Sequence, residues 1–214
     1  ADYSLQNLIW EDGFLFGDVR LRNGFWPKIK FGIPGIHNAE NALACIALLN
    51  EMGMDEQTIR RGIESFEGVK RRFEFCLRTE ELIFIDDYAH HPKEIKVLID
   101  SIKLFYPNKK ITGVFQPHLF SRTRDFADGF ASELSRLDEL VLMPIYPARE
   151  EPIHGITSDW LLQKVKCGKK SLKTPSEVLQ HFSNFKEGVV LTIGAGDIDR
   201  IVSPLSQILK SNIE

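Results

Sequence analysis

No apolar run in this chain approaches the roughly 18–20 residues that a membrane-spanning helix needs, so no such span is expected. Cysteine is scarce too. Cys45, Cys76 and Cys167 are odd in number and far apart, which provides neither a disulfide framework nor a metal-knuckle spacing. A reducing cytoplasm is the expected compartment. Basic excess is missing: the net charge is −3 and the pI about 6.1. That argues against a general nucleic-acid binder, whose affinity rests on clustered Lys and Arg facing phosphates. A local basic pocket for one anionic ligand stays open. Ala1-Asp2-Tyr3-Ser4-Leu5 has neither the basic start nor the apolar core of a signal peptide. Two nucleotide signatures are also absent. Nowhere is there a Gly-x-x-x-x-Gly-Lys-Thr/Ser phosphate loop, and Gly194-Ala195-Gly196 is not a dinucleotide fingerprint because the third glycine position holds Asp199.

What is present is an ordinary globular composition. With 214 residues, 43% hydrophobic and 27% charged, the chain can form one large domain or two small ones. Residues 1–34 carry short alternating runs, Phe14-Leu15-Phe16, Val19-Arg20-Leu21 and Ile29-Lys30-Phe31, broken by Gly and Asn; they predict short strands with tight turns. The segment opens without a clear start, which suggests a chain cut from something longer. Ala42, Cys45, Ile46 and Leu49 predict one apolar face of a helix over 38–50. Asp55 is placed to cap a second helix, with Ile59, Ile63 and Phe66 inward and Gly68 closing it. From Lys70 onward strands and helices alternate. Strands are predicted at 73–78, 82–86, 111–115, 139–143 and 189–193, and helices at 92–105, 124–137, 158–166, 175–185 and 199–210. Pro92 suits the first turn of its helix, and Thr174-Pro175-Ser176-Glu177 reads as a capping box. Such alternation predicts an α/β fold: a Rossmann-like, mostly parallel sheet with helices on both faces.

The chemistry gathers where strands end. Asp86-Asp87-Tyr88-Ala89-His90-His91-Pro92 packs two acids, a phenol and two imidazoles between a strand and a helix. Three further strand ends run into Gln116-Pro117-His118-Leu119-Phe120-Ser121-Arg122-Thr123-Arg124, into Pro144-Ile145-Tyr146-Pro147, and into Gly194-Ala195-Gly196-Asp197. In a parallel sheet these loops share one edge, so distant residues converge there. Arg supplies a planar fork for carboxylate or phosphate, and His a hydrogen bond or a metal ligand. Plainer readings stand beside each. Asp86 can be a cap or turn residue, Arg124 can pair with Asp128 one turn on, and the Gly194 segment can be a bare turn. His154 and His181 read as surface residues. His90, His91 and His118 could ligate a metal, although none sits at the usual helical spacing. Asn38 and Asn41 share a face at the start of their helix; they can cap it or, as paired carboxamides, read the edge of a base. Lys70-Arg71-Arg72 is either a solvated surface or a phosphate contact.

Taken in order, five segments resemble the Mur ligases: Gly35-Ile36-His37-Asn38-Ala39-Glu40-Asn41, Gly68-Val69-Lys70-Arg71-Arg72-Phe73, Asp86 to Pro92, Phe115-Gln116-Pro117-His118 with Ser121-Arg122-Thr123, and Gly194-Ala195-Gly196-Asp197. The resemblance runs from about residue 30 onward and is nearest to the branch that joins L-alanine to UDP-N-acetylmuramate in peptidoglycan synthesis. It implies three domains in the whole protein. Residues 1–69 would then be the tail of the central ATP-binding domain and residues 70–214 the C-terminal Rossmann-like domain. It also implies roles. Asn38 and Asn41 lie near the ATP adenine, Arg72 reaches toward the nucleotide, Asp87 contacts the ribose and Tyr88 lies beside it. His90, His118 and Arg122 hold L-alanine and the reacting carboxylate. The implied cofactors are ATP and Mg²⁺, with the main phosphate and metal sites in domains that this chain lacks; no metal ligand is assigned here. The implied chemistry is phosphorylation of a carboxylate by ATP, attack by the alanine amine, and loss of phosphate. Leu119 stands where the family often has Arg. Without a phosphate loop the chain is expected to be inactive alone. Two rival readings are a muropeptide-recycling ligase of the same family and a non-catalytic nucleotide-binding module.

Overall fold

The computed structural model describes residues 1–11 and 13–213 and divides into two units, Ala1–Phe73 and Glu74–Glu214. In the first unit an antiparallel meander of β1 (Ser4–Glu11), β2 (Phe14–Leu21) and β3 (Gly24–Phe31) precedes α1 (Ile36–Glu51) and α2 (Glu56–Glu64). Two of the predicted short strands, at Phe14 and Val19, are halves of β2, and β1 was not foreseen. The alternation in β2 explains why the meander holds together. Leu15, Val19 and Leu21 point one way and are buried with Ile29 and Phe31 of β3. Asp55 caps α2 as expected, accepting from the Thr58 N–H at 3.0 Å. That helix stops at Glu64 rather than running to Gly68, and Phe66 lies 48% exposed instead of inward. Cys45, predicted on the apolar face of α1, is exposed as well.

The second unit is a six-stranded sheet. Its elements are β4 (Glu74–Arg78), β5 (Leu82–Asp87), α3 (Pro92–Phe105), β6 (Ile111–Phe115), α4 (Phe120–Asp125), α5 (Ala127–Leu134), β7 (Glu139–Leu142), α6 (Ser158–Lys164), β8 (Lys169–Leu172), α7 (Pro175–His181), β9 (Gly188–Ile193) and α8 (Asp199–Ser211). The strand order is β4-β5-β9-β6-β7-β8, parallel throughout except for β4 against β5. The mostly parallel α/β architecture is therefore as predicted. Every residue of β5, β6 and β9 is buried, as a sheet covered on both faces requires. Phe84, Val114 and Val190 pack with Val178 of α7, with Phe182 just after it, and with Leu205 and Leu209 of α8 on one face. On the other, α3 packs on α5 and α5 on α6, and Phe115 meets Phe130 at 5.4 Å between ring centres.

Three local differences have simple causes. The edge strand β8 reads Lys-Lys-Ser-Leu and is largely exposed, so no apolar pattern announces it. The single helix predicted over 124–137 is two, α4 and α5, broken at Phe126. Arg124 pairs with Asp125 at 2.8 Å, while Asp128 pairs with Lys164 at 3.0 Å, so the predicted Arg124–Asp128 pair does not form. Among the described residues no helix is long and apolar enough to cross a membrane.

The three thiols differ sharply in setting. Cys45 is exposed, Cys167 is buried, and Cys76 is half-buried beside Asp86 and Glu74. Burial first, then those two carboxylates, push the Cys76 thiol up to about 12. At pH 8 only roughly one Cys76 in ten thousand is then thiolate, the reactive form. Iodoacetamide at pH 8, followed by peptide mass analysis, should therefore modify Cys45 first and Cys76 at least about tenfold more slowly. Equal rates would contradict the burial of Cys76.

Candidate functional site

The strand order decides where a ligand can sit. After β5 and β6 the chain crosses over the α3/α5 face, whereas after β9, which lies between them, it crosses over the α7/α8 face. The loops leaving neighbouring strands thus diverge, and a crevice opens at their carboxyl ends. Three of the four polar loops border it.

Gln116 forms its floor. The side chain is buried; its Nε2 donates to Asp197 Oδ1 at 2.7 Å and its Oε1 accepts from the Ile198 N–H at 2.9 Å. Those bonds tie the end of β6 to the glycine loop after β9. Gly194 sits at φ 147° with its missing Cβ 2.8 Å from the Gln116 carbonyl oxygen, a position no larger residue can take without strain. The segment is therefore a close-packed junction rather than a bare turn.

In the first loop the two aspartates face opposite ways, as consecutive strand residues must. Asp86, only 1% exposed, accepts from Thr192 Oγ1 at 2.6 Å across the β5–β9 pair. It is neither the cap nor the turn residue that it resembles in sequence. Asp87 accepts from the Ala89 N–H at 2.8 Å, which bends the chain out of β5. His90 follows. Its Nδ1 lies 3.0 Å from the Tyr88 carbonyl oxygen, and because a carbonyl only accepts, that nitrogen carries the proton and leaves Nε2 as an acceptor. His91 is used structurally. Its Nδ1 accepts from the Lys93 N–H at 3.3 Å, and Glu94 accepts from the N–H groups of His90 and His91 at 2.9 and 3.1 Å, completing a capping box ahead of Pro92. His90, His91 and His118 do not form a metal-ligating group, His91 being turned to the helix start and to Phe126. Among the described residues no other group of three metal-ligating side chains is formed either.

The second loop carries His118 and Arg122. Leu119 between them has φ 72°, a conformation that costs a β-carbon-bearing residue on the order of 1–3 kcal/mol. It turns the chain abruptly into α4, so His118 and Arg122 stand one turn apart on the same side. Arg122 Nη1 comes within 3.4 Å of His118 Nδ1. Arginine only donates, which makes His118 Nδ1 the acceptor and places the ring proton on Nε2. The His118 and His90 rings are 6.4 Å apart, and Tyr88 meets His90 at 5.3 Å. Burial, then the Arg122 charge and the neighbouring His90, hold His118 below the usual imidazole range. Tyr88, Asp87, His90, His118 and Arg122 thus come together in one unit, whereas Arg124 is exposed and turned to Asp125.

The first unit has its own polar cluster. Asn38, Asn41 and Arg72 line one cavity of about 790 Å³, with apolar walls from Ile33, Ala42 and Ile59. Asn38 is not the cap of α1, a place held by Gly35 at φ 108°; its side chain donates to the Pro34 carbonyl at 2.6 Å. Its carbonyl oxygen and the Asn41 carboxamide can meet a planar ring edge.

His154 is exposed as expected. His181 is not a free surface residue, since it is half-buried against Glu139 at 3.1 Å. Three residues of this second unit carry structure at the site that the sequence did not assign to them: Tyr146, stacked on His118 at 5.5 Å, Glu150, bonded to Ser121, and Gly196, packed under Tyr146. The sequence set Tyr146 and Gly196 in strand-end loops without a partner for either, and nothing marked Glu150.

The model of the Mur ligase, glutamate ligase domain matches residues 71–202. A UDP-N-acetylmuramate–L-alanine ligase of Flavobacterium johnsoniae is 43% identical over the whole of this chain and 47% of its own length. Another, from Porphyromonas gingivalis, is 44% identical over 99% of this chain and 46% of its own. The chain therefore spans about half the length of the curated relatives it matches. Among solved structures, the UDP-N-acetylmuramate-alanine ligase of Thermotoga maritima superposes with a TM-score of 0.82 at 29% identity, covering 98% of this chain and 46% of that one. A murein peptide ligase from Psychrobacter arcticus shares the fold, with a TM-score of 0.61 at 20% identity, covering 100% of this chain and 45% of that one. With this domain model matched over more than half of its length, the chain belongs to the Mur ligase family.

Proposed function

We propose that the protein containing this chain joins L-alanine to UDP-N-acetylmuramate with ATP, through an acyl phosphate, in the cytoplasm. The observation that carries the reading is the convergence of His90, His118 and Arg122 in one crevice, in a chain so similar to alanine-adding ligases. A free amino acid brings a carboxylate and an amine. Arg122 offers a fixed cation with a planar fork for the carboxylate. His118, kept neutral, adds a hydrogen-bond donor at Nε2 without a second charge. His90 presents Nε2 as acceptor, suited to take a proton from the amine before it attacks. The acyl phosphate carbon receives the amine, and phosphate leaves from the tetrahedral intermediate.

Residues 1–69 are read as the end of the ATP-binding domain and residues 70–214 as the amino-acid domain. The apolar walls around Asn38 and Asn41 fit an adenine, whose ring edge matches the two carboxamides. Arg72 at the same cavity suits the nucleotide, and Asp87 with Tyr88 suits a ribose. Mg²⁺, when bound, neutralises the phosphates, and its ligands are assigned to the domains outside this chain.

The purified intact protein should release ADP and phosphate only when ATP, L-alanine and UDP-N-acetylmuramate are all present. The 214-residue chain alone should release none, for want of a phosphate loop. Use of a preformed peptide in place of L-alanine would assign the recycling reaction instead, and ATP binding without turnover a non-catalytic module.

A further inference from the structure

The loop after β7 holds none of the residues proposed to meet a substrate, yet it is bonded to the loop that carries His118 and to the first turn of α4. We propose that residues 144–150 are the positioning element of that crevice: Tyr146 fixes the His118 ring, and Glu150 fixes the start of α4, so that His118 and Arg122 address one point. The proposal rests on the ligase reading for the identity of the ligand, but not for the geometry.

The backbone supports it first. Pairing of β6 with β7 ends at Phe115 and Leu142, lapses, and resumes in an isolated parallel bridge between His118 and Tyr146. That bridge lies three residues on from Phe115 but four on from Leu142, so the loop after β7 carries one extra residue and bulges against the loop that holds His118. The Leu119 N–H donates to the Tyr146 carbonyl at 2.9 Å, and the Tyr146 N–H to the Pro117 carbonyl at 2.8 Å. These bonds hold both residues that flank His118. Side chains complete the grip. The Tyr146 ring stacks on His118 at 5.5 Å and 29°. From the opposite side the glycine loop presses in: a Cβ on Gly196 would lie 2.7 Å from Tyr146 Cβ and 2.8 Å from its Cγ. Only a hydrogen at that position lets the ring reach His118. Glu150 accepts from the Ser121 N–H at 2.9 Å and from the Ser121 hydroxyl, one residue before Arg122. Those two bonds, hydroxyl first, hold the Glu150 carboxyl below the usual carboxylate range, so it stays ionised at neutral pH.

The groups facing His118 are Arg122, His90, Glu150 and Tyr146. Of the influences that lower its pKa, burial is the largest, and the Tyr146 ring is the nearest cover. The test is histidine-ring NMR titration of the 214-residue chain. In Tyr146→Leu the His118 midpoint should rise toward the ordinary 6.5, while Tyr146→Phe, which keeps the ring, leaves it in place. His181, paired with Glu139 at the far side of the sheet, reports whether the fold survives. An unmoved His118 midpoint in Tyr146→Leu, with His181 intact, overturns the proposal. In the intact protein Tyr146→Leu and Glu150→Gln should each raise KM for L-alanine about tenfold, with KM for ATP unchanged, as misplacement of one substrate predicts. A rise in both constants together, or in neither, overturns it. If the intact wild-type protein makes no use of L-alanine, the ligase reading falls, and the NMR result still decides whether Tyr146 positions His118.

Discussion

Replacing Arg122 with Ala in the intact protein should lower kcat/KM for L-alanine by about 10²-fold, equivalent to about 2.7 kcal/mol of transition-state stabilisation. The size follows from the setting. Arg122 is half-buried, and its Nη1 lies beside a histidine held neutral, so its charge is not spent within the protein. A charge-assisted, bidentate pair with a carboxylate is worth roughly twice a neutral hydrogen bond. Arg122→Lys should recover only part of the loss, because an ammonium cannot form the planar fork. Arg124→Ala is the control, being exposed and paired with Asp125, and should change little. KM for ATP should stay within about twofold in both. Equal damage to alanine and ATP use in Arg122→Ala would remove Arg122 from the amino-acid site.

The second large effect concerns the scaffold. Phe84→Ala should destabilise the chain by about 3–5 kcal/mol, the cost of a large cavity in a core that cannot collapse around it. Phe84 is fully buried in β5, and its cluster includes Val190 of β9 and side chains from α7 and α8. The total stability of a domain is only about 5–15 kcal/mol, so most of the margin would go. Leu172→Ala, at 37% exposure on the edge strand β8, should cost under about 1 kcal/mol. Urea unfolding of the chain measures both. A Phe84→Ala midpoint close to that of the wild type would mean that the β5 core is not packed as described.

How legible the site was depends on the range of the forces involved. Asp55, Pro92 and the Thr174–Glu177 capping box were read correctly because a cap is a contact across three or four residues. The unbroken apolar run of Val189 to Ile193 marked a buried parallel strand for the same local reason. β8 was missed because an exposed edge strand needs no apolar pattern, and the break at Phe126 because both of its sides remain helical. The contacts of Tyr146, Glu150 and Gly196 were missed because their partners, His118, Ser121 and Tyr146, are 28 to 50 residues away and no spacing encodes them.

By itself, then, the sequence determined the alternation of strand and helix, the caps, and which polar side chains stand at strand ends, since each depends on neighbours along the chain. Only the tertiary structure decided that β9 enters between β5 and β6. That insertion is set by ladders between segments as distant as Asp86 and Thr192, 106 residues apart. It sends adjacent loops to opposite faces and opens the crevice between them. The tertiary structure also sorted the polar knot from Asp86 to His91 by direction. Pleating sent Asp86 and Asp87 to opposite faces of the sheet, both buried, and a helix start claimed His91 as its cap, leaving His90 to face His118.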